Sequence, residues 1–96
     1  MVVCVCYFDL LLLDRPDSLK GKRQVIKSLK ERLRSRLSVS AAEVGSQDLL
    51  HRGELGVAIV GESREVLEPI AARIRGMIEA HGTVEILNSF TDYPRY

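Results

Sequence analysis

Eight basic residues lie between Ser18 and Leu37 against a single acid, Glu31. Lys20, Lys22, Arg23, Lys27, Lys30, Arg32, Arg34 and Arg36 supply them, while the rest of the chain holds six basic residues against twelve acidic ones. Ammonium and guanidinium groups gathered this densely are suited to oxyanions, phosphate above all. Their spacing gives the charge a direction. At about 100° per residue, Lys20, Arg23, Lys27, Lys30 and Arg34 form one stripe of a helix. Leu19, Val25, Ile26, Leu29, Leu33 and Leu37 form another, roughly 120° away. One side of this helix is built to pack and its flank to meet anions.

A second set of side chains could move protons. Glu43, Asp48 and His51 are candidates for that work, with Arg52 as an electrophile. Bland roles compete with each: Asp48 and His51 can pair on a short turn, and Glu43 can be an edge-strand charge that deters aggregation. No serine or cysteine has a visible activating base, and no metal-ligand spacing appears, so neither catalysis nor a metal or cofactor is expected. Cys4 and Cys6 lie on one face of a strand, where a disulfide between them would be strained; they read as small core residues.

The elements that must position these groups follow from hydrophobic periodicity. Residues 2–13 make a long first strand with Val2, Cys4, Cys6, Phe8, Leu10 and Leu12 on its apolar face. Asp14-Arg15-Pro16-Asp17 turns the chain, and Ser18 caps the basic helix, which ends near Leu37. Residues 38–45 and 54–62 read as strands joined by the polar connection 46–53. Ser63 caps a second helix running to His81, with Gly82 as its stop and Val66, Ile70, Ile74 and Met77 as its apolar stripe. Pro69 should kink that helix or push its start later. A strand at 83–90 and an aromatic tail (Tyr93, Tyr96) complete the chain.

The order β-α-β-β-α-β closes most naturally into a ferredoxin-like α+β fold, a four-stranded antiparallel sheet with both helices on one face. This topology places the start of the basic helix beside the loop between the two middle strands. Lys20, Lys22 and Arg23 are expected there with Arg52, next to helix N–H groups that Gly21 leaves approachable. Glu43, Gln47, Asp48 and His51 line the same loop. The open face of the sheet should carry Val3, Val5, Tyr7, Leu11, Leu13, Ala58, Val60 and Leu87 with Asp9, Glu54, Glu62 and Glu85. Its third strand has no aromatics on which bases could stack, and its acids repel phosphate. That face is expected to pack against a second copy of the chain or under the C-terminal tail.

Ninety-six residues with 46% apolar and 28% charged content are expected to form one domain, 1–96, without staples. The net charge of +1 hides the segregation just described. Residues 1–13 lack a basic start, contain Asp9 and are too short to span a bilayer, so the expectation is a cytoplasmic protein with no membrane role.

SLKGKR (18–23), RLRSRLSVSAAEVGSQDLLHR (32–52) and LGVAIV (55–60) resemble the YlxP-like family of small, uncharacterised bacterial proteins. The most specific positions are Ser18, Leu19, Lys20, Lys22 and Arg23, and Glu43, Val44, Gln47, Asp48, Leu49 and Arg52. The resemblance implies a ferredoxin-like fold. Genes of this family often sit beside translation-initiation and ribosome-maturation genes, which implies an RNA or ribosome setting. The expected function is therefore a non-catalytic anion- or RNA-binding module, with a dimeric interaction domain as the alternative.

Overall fold

The computed structural model describes residues 1–96, arranged as β1 (Val2–Leu12), α1 (Leu19–Arg36), β2 (Ser40–Gly45), β3 (Arg52–Gly61), α2 (Arg64–Ala80) and β4 (Val84–Asp92). The strands form one antiparallel sheet in the order β2-β3-β1-β4. Both helices pack on one face, giving the ferredoxin-like arrangement that the element order predicts. No helix is long and apolar enough to cross a membrane.

β1 is the central strand, and its period of two divides the molecule. Val2, Cys4, Cys6, Phe8, Leu10 and Leu12 are all buried under the helices. The alternate residues lie half-buried on the bare face. Cys4 and Cys6 are free thiols with their sulfurs 3.7 Å apart, and burial pushes the Cys6 thiol up to about 11. Both are core material, too deeply buried to react readily.

α1 starts where Ser18 accepts the Gly21 N–H at 3.0 Å, and it buries Ile26, Leu29 and Leu33. Burying each of those side chains stabilises the fold by about 1.5–3 kcal/mol. In α2, Ser63 caps the Val66 N–H at 3.3 Å. The helix runs from Arg64 straight through Pro69, so its start is not displaced. Pro69 is exposed and lacks only the bond to the Glu65 carbonyl, while Leu67, Ile74 and Ile78 anchor the helix on either side. The buried stripe is thus Leu67, Ile74 and Ile78; Ile70 and Met77 flank it, and Val66 faces solvent.

Two irregularities shape the edges. β2 slips register against β3 between Glu43 and Gly45, and β1 slips against β4 between Asp9 and Leu10. The first leaves Val44 unpaired, and Ser46 follows at φ +55°. β3 begins at Arg52, two residues earlier than periodicity suggests, so Arg52 is a strand residue and not part of the loop. The C-terminal tail continues β4 alongside β1: Val3 donates to Pro94, Val2 bridges Arg95, and Tyr93 packs on the core beneath Arg64. The tail lies in the plane of the sheet and leaves the opposite face bare.

Candidate anion-binding surface

The predicted meeting of the α1 start with the β2–β3 loop is present, but the protein itself fills the meeting point. Lys22 is 1% exposed. Its ammonium sits 3.1 Å from Glu43 Oε2 and donates to the Ser46 carbonyl. Gly53 makes room beneath: a Cβ there would come within 3.1 Å of Ile26 and 3.9 Å of Glu43 Oε2. Apart from the ion pair, Glu43 Oε2 is buried without a hydrogen bond, so Lys22 is its only compensation. Lys22 therefore locks α1 to β2 and cannot serve as a surface ligand for anions. The sequence carried that signal, because Lys22 continues the spacing of Ile26, Leu29 and Leu33 around the helix.

The first turn of α1 is capped from within the chain. Ser18 accepts from Gly21, and the Lys22 N–H donates to the Ser18 carbonyl at 3.1 Å. A Cβ on Gly21 would meet Ser18 Oγ at 3.3 Å and Pro16 at 3.4 Å, so its bareness serves the cap and not an approaching ligand. His51 Nε2 lies 3.2 Å from the Pro16 carbonyl. A carbonyl only accepts, so that nitrogen carries the proton and ties the loop to the β1–α1 turn.

Arg52, expected in the cluster, lies on the other side of the sheet, where it pairs with Asp9 at 2.7 Å. It belongs to a network on the bare face. Tyr7 donates to Glu54 Oε1, Ser46 donates to Glu54 Oε2 at 2.7 Å, and Tyr7 stacks on Phe90 with centroids 5.1 Å apart. The hydrogen bond from Tyr7 holds the Glu54 carboxyl below its ordinary range, with Ser46 adding to the effect. The same bond pushes the Tyr7 hydroxyl up to about 12. Asp9 raises the Arg52 guanidinium. Sequence reading missed Ser46 in this network; the register slip that turns it toward Glu54 leaves no periodic trace.

What remains on α1 is a solvent-facing ridge. Lys20 and Arg23 are exposed and Lys30 is half-buried, and none has a carboxylate within 4.0 Å. Lys27 meets Glu31 only at 4.0 Å. Arg34 donates to the Ala41 carbonyl of β2 and keeps its charge uncompensated. Arg23, Lys27 and Lys30 line a cleft of about 410 Å³ with Ile26, Glu43, Gln47 and Asp48. Gln47 donates to the Glu43 carbonyl at 3.4 Å; Asp48 bonds neither His51 nor any other side chain. Arg32 and Arg36, counted in the basic run but not on its stripe, lie toward α2 beside Arg73.

Residues 3–90 match the family described as "Protein of unknown function (DUF503)". The chain belongs to this family. "Uncharacterized protein YlxP" of Bacillus subtilis (strain 168) is 35% identical over 68 residues, 71% of this chain and 74% of the relative. The matched DUF503 region includes both α1 and the β2–β3 loop. The crystal structure of At3g17210 from Arabidopsis thaliana has a TM-score of 0.43 and 15% identity, covering 100% of this chain and 95% of that one.

Proposed function

We propose that this protein is a non-catalytic binding module of the cytoplasm that takes RNA, free or within the ribosome, on the solvent side of its helical layer. The supporting observation is where uncompensated charge resides. Five of the fourteen basic residues are in ion pairs, and of the other nine, six stand on α1. Along the stripe, Lys20, Arg23, Lys30 and Arg34 span fifteen residues of helix, about 21 Å at 1.5 Å per residue, a length that several successive phosphates can follow. A binding role is favoured over catalysis because the candidate proton-transfer groups are not joined: His51 bonds Pro16, Glu43 pairs with Lys22, and Asp48 bonds no side chain.

Titrating single-stranded RNA over a range of salt tests this reading. Neutralising four phosphates gives a log–log slope of about −3. Changing Lys20, Arg23, Lys27 and Lys30 together to glutamine should flatten it, while Arg52→Gln should leave it unchanged. Binding that ignores salt, or ignores the fourfold variant, overturns the proposal.

A second reading concerns the bare sheet face. Arg52 pairs there with Asp9 and Tyr7 bonds Glu54, and Val3, Val5, Leu11, Ala58 and Val60 surround them, Val60 being 63% exposed. We propose a second copy of the chain as the occupant, since exposed apolar residues gathered on one sheet face suit a self-complementary, symmetric contact. Sedimentation equilibrium should give a dimer that Val60→Glu dissociates; a monomer at high concentration overturns it.

A further inference from the structure

We infer that the groove between α1 and α2 is a phosphate site, fitted to the terminal phosphate of an RNA chain; this rests on the RNA reading above. Arg32 lies half a turn around α1 from Arg23, so α1 carries cations on both flanks. On this second flank Arg32 and Arg36 line a cavity of about 260 Å³ with Arg73, Gly76, Met77 and Ala80 of α2. The three guanidiniums have no carboxylate within 4.0 Å and donate no hydrogen bond inside the protein. Each brings five N–H donors in a planar fork. No acid lines the groove, whereas Glu43 and Asp48 line the cleft on the other flank.

Two further observations agree. Gly76 sits inside an exposed helix, where glycine costs about 1 kcal/mol relative to alanine. A Cβ there would meet nothing within 4 Å, so no close packing demands the glycine, and open space stands above it. The charge of Arg32 is also felt by its neighbours. With burial, it lowers the His81 imidazole below the ordinary histidine range, and that ring is held by Ser28 at 3.2 Å and Thr83 at 2.6 Å.

The number of cations selects the ligand. An internal phosphodiester offers one negative charge, whereas a phosphate monoester carries about −1.5 to −2 and three acceptor oxygens. Three arginine forks around one small space match the second. The test compares one RNA 12-mer in 5′-phosphorylated and 5′-hydroxyl forms, binding to wild type and to Arg73→Gln, with calorimetric titration of pyrophosphate alongside. Wild type should prefer the phosphorylated RNA by about tenfold, the scale of one charge-assisted contact. Arg73→Gln should erase the preference without weakening the hydroxyl form, and circular dichroism should be unchanged. Equal binding of both RNAs by wild type overturns the terminal-phosphate site and leaves the proposed function standing. If RNA does not bind but pyrophosphate does, and Arg73→Gln abolishes that, the groove stands as a phosphate site and the RNA reading falls. Absence of both signals overturns both.

Discussion

On the bare face of the sheet, Arg52 has Asp9, and Glu54 has both Tyr7 and Ser46. On α1, Lys20, Arg23 and Lys30 have no carboxylate within reach. The same residue types thus do opposite things on the two sides of one small domain. Bonded to one another on the sheet, they organise the surface. Left unpaired on the helix, they keep an exposed positive field that salt can screen and a polyanion can exploit. Lys22 sits between the two regimes: it belongs by sequence to the basic run and by environment to the internally satisfied network.

The largest effect should come from Lys22, where the comparison is sharpest. Lys22→Ala leaves Glu43 Oε2 buried beside nothing, and breaking such a pair costs about 3–5 kcal/mol. Urea unfolding should show that loss, and Lys22→Met with Glu43→Leu should recover most of it. Arg23→Gln, one residue along, should change stability by less than about 0.5 kcal/mol. Equal effects at the two positions would erase the distinction between locking and presenting cations.

Gly45→Ala comes next. A Cβ at Gly45 would overlap the Glu54 carboxylate, which must swing away from Ser46 or Tyr7. The expected result is a Tm lower by a few degrees. Gly76→Ala, with nothing near its Cβ, should instead hold or raise Tm by helix propensity. A tolerated alanine at Gly45 would mean that the sheet-face network is dispensable to the fold.

That network also predicts a pH signature. Tyr7 is pushed up to about 12, above its ordinary value near 10, so its neutral form is the one folding favours. Its contribution is present below pH 10 and lost as pH climbs from 10 to 12. Glu54 is shifted the other way, so its share is present above the ordinary glutamate value and lost as pH falls below it. Tyr7→Phe should flatten the alkaline arm of a Tm–pH curve relative to wild type, and Glu54→Gln the acid arm. Parallel curves for wild type and both variants would refute the coupling.

Much of this was legible in the residues. The alternation of β1, the Ser18 and Ser63 caps and the element order fix the topology, and topology alone brings Ser18–Arg23 beside the β2–β3 loop. Side-chain allegiance was harder to read. Lys22 shares the helical phase of Ile26, Leu29 and Leu33, yet its charge argues for solvent until Glu43 is known to lie beneath. Arg52 changes sides because β3 starts two residues early, and two residues before Glu54 it takes the same face as that residue. The meeting of Arg32 and Arg36 with Arg73 depends on how two helices dock, which neither helix encodes alone.

The smallest expected effect separates the two flanks of α1. His81 is lowered by burial first and by Arg32 second, and it is neutral near pH 7. Its depressed value means that folding favours the neutral ring; this contribution is present above about pH 6.5 and lost as pH falls through the folded value. Arg32→Gln removes the cation but leaves burial in place, so an NMR titration should show the imidazole moving partway back toward its ordinary value. Arg23→Gln, half a turn away around the helix, should leave the titration where it is. Because Arg32 lines the α1–α2 groove, His81 senses charge brought into that groove. Adding pyrophosphate should therefore raise its titration midpoint in wild type and not in Arg73→Gln. Were the cleft beside Glu43 and Asp48 the stronger anion site, pyrophosphate would leave the His81 midpoint where it is, and Arg73→Gln would change nothing.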